Sequence, residues 1–303
     1  MRHGKYPFIV GFLVAPLAIY AVFVISPFLQ AFHYSLTDWT GVSPQFGYVG
    51  LENFEALLDD SVFLQALANN AVLLVSIPLA TIVLALLYAF LLNVGGRSGR
   101  AGVRGVFGTG FYKVAFFLPQ MLSVPVIAVI WVAILDPTST GLANSVLEWL
   151  GFERAGWLSD PDLALYCVIW VLVWFSVGFY LVLFNAAMSS IPRDIFEAAL
   201  IDGAGRFATF ARVTVPLLWD TIQTAWVYLA IFALDVYALV AVMTAGPGGP
   251  DNSTQVISLQ IAQNGFQFGK AGYASAMGVV LFIFTLGIAL IILRTFRRSR
   301  VEY

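Results

Sequence analysis

The distribution of charge constrains this chain more than any other feature. No Asp, Glu, Lys or Arg occurs between Lys5 and Asp38, Asp60 and Arg97, Lys113 and Asp136, Asp162 and Arg193, or Lys270 and Arg294. Between Asp220 and Asp251 the only charged residue is Asp235. Each gap is long enough for the roughly 20 residues that a helix needs to cross a bilayer's hydrocarbon core. The apolar runs are continuous rather than alternating, which excludes a β-barrel. In lipid every backbone polar group must be satisfied within its own segment, so the blocks are helices. The expected spans are Phe8–Tyr34, Leu67–Leu92, Val114–Leu135, Leu163–Met188, Thr221–Ala245 and Ala271–Leu293. The fold class is therefore an all-α membrane protein with six transmembrane helices in one domain, residues 1–303.

Composition agrees. Of 303 residues 60% are hydrophobic and 11% charged, against about 25% charged in an ordinary soluble domain. A single soluble globule of this size leaves too much surface exposed to hide that much apolar material. The first block is too long for a signal-peptide apolar region and is read as an uncleaved first helix.

Orientation follows from the basic residues. Thirteen of the fifteen Lys and Arg fall on one side: Arg2, Lys5, Arg97, Arg100, Arg104, Lys113, Arg193, Arg206, Arg212, Arg294, Arg297, Arg298 and Arg300. Arg154 and Lys270 fall on the other. The expectation is a multi-pass protein of the plasma (inner) membrane with both termini cytoplasmic.

Several kinds of chemistry are missing. The two histidines, His3 and His33, are far from any carboxylate or cysteine cluster with ligand spacing. No catalytic constellation and no metal site is expected. The single cysteine, Cys167, lies within a span and reads as a small buried apolar residue. The nearest approach to a phosphate-binding loop, Gly265–Ala271, lacks glycine at Asn264 and Ser or Thr at Ala271. No nucleotide site of its own is therefore expected. A net charge of −2, with basic residues that topology already explains, argues against nucleic acid as a partner. The outer segment carrying Trp39, Tyr48, Leu51 and Phe54 reads as an interfacial aromatic belt, or as a docking surface for an external partner.

Two features remain to be explained. Asp235 is the one charge inside an expected span, a costly placement that marks either a water-filled path or a structural carboxylate. The polar loop of about 189–218 is the other. Pro192 and Asp194 suit a helix start. Gly203 and Gly205 allow a turn. A second short helix, Arg206 to Val213, is expected to end before Pro216. The product is a helical hairpin at the cytoplasmic surface, with small residues on one face.

Within that loop, Glu197-Ala198-Ala199, three residues, Gly203, nine residues, then Val213-Thr214-Val215-Pro216 resembles the coupling loop of binding-protein-dependent ABC importer permeases. Val213 and Val215 replace the usual Ile and Leu. Further segments resemble the carbohydrate-uptake (maltose-permease-like) branch: Ser35–Trp39, Val49–Phe54, Phe116–Pro119, Trp157–Pro161, Phe232–Asp235 and Gly272–Ala276. Thr244–Pro250 is a longer Gly/Pro run than that branch usually carries.

The resemblance implies a type I importer permease that pairs with a second permease, two ATPase subunits and an external substrate-binding protein. ATP and Mg belong to the ATPase subunits, and no cofactor sits in this chain. By the same resemblance Glu197, Ala198, Ala199, Asp202, Gly203 and Pro216 meet the ATPase. Gln120, Trp174, Phe232 and Asp235 line the path of a sugar or oligosaccharide. The alternatives are a permease for another small solute, such as glycerol phosphate, and a secondary transporter. Missing ion-coupling groups and the lack of internal duplication weigh against the latter.

Overall fold

The computed structural model describes residues 5–94, 108–244, 246 and 248–295. Arg2, Arg97, Arg100, Arg104, Arg297, Arg298 and Arg300, on which much of the topology argument rests, lie outside them. The described residues form fifteen α-helices with shorter 3-10 and π turns, and their only β pairing is an isolated bridge between Thr37 and Tyr48. By packing the chain divides into two units. One joins the chain up to Leu64 with Gln260–Phe284, and the other comprises Gln65–Leu259 and the chain from Thr285 onward.

In the first unit α1 (Lys5–Tyr20) passes through a π turn (Ala21–Ile25) into α2 (Ser26–Tyr34). Within Ile9–Tyr34 the most apolar window has nothing buried by protein. A helix apolar on every side and unburied is matched to lipid. The segment after it folds back through polar contacts. Asn53 Nδ2 donates to the carbonyls of Ser35 and Thr37, each at 2.9 Å. Trp39 stacks on Tyr34 at 4.1 Å between ring centroids and donates its indole N–H to Ser43 O at 2.9 Å. Gly272, near the start of α15 (Ala271–Thr295), donates to Trp39 O at 2.8 Å. A Cβ at Gly272 would stand 2.1 Å from Thr37 O, so only glycine permits that approach. Asp60, between α3 (Glu52–Asp59) and α4 (Ser61–Val94), accepts from the amides of Val62 and Phe63 and from Tyr273 Oη. Tyr48 and Leu51 stay exposed, whereas Trp39 and Phe54 are half-buried.

The second unit is built around α8 (Pro161–Ser189), whose buried face includes Leu172, Leu181 and Phe184. Asp160 caps its start, accepting from the Asp162 amide. Against it pack Leu73, Ile77, Ala85 and Ala89 of α4, and Ile222, Ala225, Leu229 and Ala233 of α12 (Trp219–Leu234). Small residues permit close helix approach where lipid supplies no hydrophobic drive. The tightest crossing is at Gly178, where a Cβ would lie 1.8 Å from Phe116 O of α5 (Thr109–Phe117).

Two expected spans depart from straight helices. The third is α5, a 3-10 turn (Leu118–Met121) and α6 (Val124–Ile134), bent by 101°. Leu122 and Ser123 are extended at the bend, with Pro119 before them and Pro125 opening α6. Proline removes an amide donor and clashes with the preceding turn, so this pair breaks the rod. The fifth stops at Leu234 and restarts as α13 (Tyr237–Met243), with Asp235 and Val236 at non-helical backbone angles between. Among the described residues four helices are long and apolar enough to cross a membrane, and up to six spans result if the bent pairs Thr109–Met121 with Val124–Ile134 and Arg206–Leu217 with Trp219–Leu234 each count as one.

On the loop between α6 and α8, α7 (Leu142–Trp149) hangs on one buried side chain. Asn144 Nδ2 donates to Asp136 O and Ala155 O, and its Oδ1 accepts from the Ala155 amide and the Trp157 indole. Thr138, through its hydroxyl and then its amide, holds the Asp136 carboxyl below the usual carboxylate range. After α13 the chain makes a tight loop with Gly246, Gly248, Gly249, Asp251 and Asn252 all at positive φ. Asn69 and Asn70 of α4 secure it: Asn69 donates to Ser253 O and Gln255 O, and Asn70 Oδ1 accepts from the Ile257 amide.

Candidate functional site

The polar loop forms a hairpin. α9 (Arg193–Ile201) ends on Asp202 and Gly203. Gly203 has φ +76°, and the Ala204 amide donates to Ala199 O at 2.9 Å. This is a Schellman closure, with glycine at the left-handed position that side chains resist. Nothing stands within 4 Å of a Cβ at Gly203, so backbone angle rather than crowding selects it. Glu197, Ala198, Asp202 and Gly203 are exposed, and Ala199 is half-buried. Two large apolar side chains flank the turn in the open, Ile201 at 86% and Phe207 at 73% exposure. The sequence reading did not single them out; apolar residues beside a glycine turn were the available signal.

The return arm differs from expectation. α10 (Arg206–Thr209), a π turn (Phe210–Thr214) and α11 (Val215–Leu217) carry the helix through Pro216, which is exposed, and it ends at Leu217 rather than before the proline. Pro216 lies in the first turn of α11, where its missing amide is tolerated. The bend comes at Leu218, where the direction turns 69° into α12. The arm is seated by Phe210, whose ring lies 4.6 Å from that of Phe90 in α4.

The four residues nominated for the path divide. Gln120, on the 3-10 turn at the break, donates from Nε2 to Phe175 O of α8 at 3.0 Å. Phe175 stacks with Phe232 of α12, centroids 6.1 Å apart and planes 24° apart. Gln120 and Phe232 are thus joined through Phe175, itself missed by the sequence reading. Trp174, 36% exposed, meets Trp131 of α6 edge-on at 5.4 Å. Trp131 keeps a buried indole N–H without a partner among the described residues. Asp235 caps α12, its amide donating to Phe232 O, and is exposed at the break rather than enclosed within a helix. Aromatic faces beside a few hydrogen-bonding groups are the composition of a small-molecule site. Among the described residues no group of three or more His, Cys, Asp or Glu could hold a metal ion.

Comparison with known proteins gives this geometry a family. Residues 98–302 match the family described as binding-protein-dependent transport system inner membrane component. The chain is 43% identical over 295 residues to the diacetylchitobiose uptake system permease protein NgcF of Streptomyces coelicolor, covering 96% of this chain and 83% of that one. It is 33% identical over 258 residues to the xylose/arabinose import permease protein XacH of Haloferax volcanii, covering 85% and 78%. A solved structure of a bacterial alginate ABC transporter, in complex with a periplasmic protein bound to alginate pentasaccharide, contains a chain of the same fold. It matches with TM-score 0.82 at 24% identity, over 97% of this chain and 95% of that one. The all-helical architecture is that of a type I ABC importer permease, and the chain belongs to the binding-protein-dependent transport system inner membrane component family.

Proposed function

We propose that this chain is one of two permease subunits of an ATP-driven importer for a sugar or oligosaccharide. A second permease completes the path, two ATPase subunits bind ATP and Mg on the cytoplasmic side, and an external binding protein delivers the sugar. The observation that carries the reading is the exposed hairpin Arg193–Leu217, placed between two apolar helices and closed by Gly203. It offers Glu197, Ala198, Asp202 and Gly203 to a partner, with Ile201 and Phe207 as apolar anchors. Ala199 and Pro216 set the turn and the return arm.

The hairpin has a thermodynamic task. ATP binding shifts the permease toward its outward state only if the closed ATPase pair makes better contacts with that state. Rigid helix ends at a partner surface supply such differential contacts. Both chain termini are cytoplasmic, on the same side as the hairpin. The carbohydrate assignment is supported by the named substrates of the relatives and by the aromatic setting of Gln120, Trp174, Phe232 and Asp235. Stacked rings fit sugar faces, while the amide and carboxylate fit hydroxyls.

Uptake of labelled diacetylchitobiose, xylose and glycerol phosphate by cells with and without this gene tests the substrate class. Loss of saccharide uptake alone is the expected result. Loss of glycerol phosphate uptake alone would replace the sugar with another small solute.

A further inference from the structure

We infer that Phe90 and Asn93, near the inner end of α4, form a clasp that makes α4 and α8 move together with the hairpin Arg193–Leu217; the inference rests on the coupling role proposed above. Phe90 meets the hairpin's return arm twice. Its ring lies 4.6 Å from Phe210 at 43°, and 6.5 Å from Phe207 at 84°. Asn93 lies three residues on, close to one helical turn, and so shares that side of α4. Its Nδ2 donates to Asn185 Oδ1 of α8 at 3.0 Å and to Ala89 O at 2.7 Å.

These contacts close a circuit. Asn185 lies in the last turn and a half of α8, which ends at Ser189. The hairpin begins at Arg193, so its first arm is tied to α8 by three residues of backbone. Its second arm is tied to α4 by rings, and α4 is tied to α8 by the Asn93–Asn185 amide pair. A push on the exposed turn therefore reaches two membrane helices at once. Close-packed side chains transmit such a displacement because they have no slack to absorb it. Phe207 is open on most of its surface while its ring stands crosswise to that of Phe90, so a partner pressing on it presses on α4. α8 also carries Phe175 and Trp174, which places the far end of the clasped pair at the nominated path. Phe90 and Asn93 are positioning residues: neither needs to touch sugar or ATPase.

The test uses the complete transporter, both permeases with both ATPase subunits, in nanodiscs. ATP hydrolysis is measured per assembled complex, without and with the binding protein purified carrying its sugar. The wild-type complex gives the control: stimulation by the binding protein establishes the coupling reading independently of Phe90. Phe90→Ala should assemble and keep basal hydrolysis. Its stimulation by the binding protein should fall by about fivefold or more, the lower range for coupled sites. Phe90→Tyr, which keeps the ring, should restore it. If Phe90→Ala fails to assemble, Phe210→Leu removes the same ring pair from the hairpin side and is read by the same ratio. Asn93→Ala should give the same pattern. Wild-type stimulation per complex in these variants would overturn the inference. So would a loss that merely tracks the amount of complex recovered, because that is a packing role.

Discussion

The Ala204 amide donates to the Ala199 carbonyl at 2.9 Å, across a glycine held at φ +76°. This bond fixes the angle at which α9 gives way to the return arm. Left-handed backbone costs an ordinary residue roughly 1–2 kcal/mol, whereas Asn adopts it more readily. Gly203→Asn should therefore keep ATPase association and most uptake. Gly203→Val, β-branched and poorly suited to positive φ, should lower both while the protein still inserts in the membrane. Co-purification of the ATPase subunits and uptake per complex are the readouts. Equal behaviour of the two variants would remove the turn from the coupling account.

Asp235 should serve the path more than the fold, since it stands exposed at a helix break and not in a packed interior. Asp235→Asn keeps the shape and removes the charge. Uptake per complex should fall, with altered preference among related sugars, while complex yield holds. Reduced yield with an unchanged rate per complex would move Asp235 to the scaffold.

Gly178 is where α5 and α8 touch backbone to backbone. A methyl group there would sit 1.8 Å from Phe116 O, which must move. Overpacking of this kind costs about 1–3 kcal/mol, and more where backbone is the obstacle. Gly178→Ala should lower the thermal midpoint in detergent and the yield of folded protein. Gly287→Ala, at an ordinary helical position of α15 with nothing within 4 Å of a Cβ, should change the midpoint far less. A midpoint for Gly178→Ala within error of wild type would contradict the crossing.

Cysteine labelling tests the sidedness. With Cys167 replaced by Ala, a cysteine at exposed Trp149 should react with an impermeant maleimide added outside intact cells. A cysteine at exposed Ile201 should react only after the membrane is opened. Labelling at position 201 from outside would invert the topology and separate the hairpin from any cytoplasmic ATPase.

The apolar blocks were readable because a chain in lipid must satisfy its backbone locally, so each span is written in contiguous residues. The glycine turn at 203 was readable for the same reason: it depends on one residue and its neighbours. The break in the third span carried a signal in Pro119 and Pro125, but the unbroken lack of charge from Lys113 to Asp136 outweighed it. The end of the hairpin was misplaced because Pro216 reads as a terminator in sequence and acts here as a helix start. What could not be read were bonds across long separations. Asn69 serves carbonyls 184 and 186 residues away, and nothing near position 69 announces Ser253 or Gln255. Asn144, Asn53 and Gly272 behave alike: Asn53 and Gly272 belong to family-like segments, yet their visible work is to hold backbone in place. Phe175 was hidden between Trp174 and Ser176 because an aromatic residue in a span looks the same facing lipid, core or path.

ATP-driven sugar flux in proteoliposomes tests the central claim most directly. This permease, its partner permease and the two ATPase subunits are reconstituted, and labelled sugar is presented on the binding protein. Accumulation should require ATP with Mg, the binding protein and all four subunits together, and this chain alone should hydrolyse no ATP above background. Sugar accumulation by this chain without the ATPase subunits, driven by an ion gradient, would contradict the account.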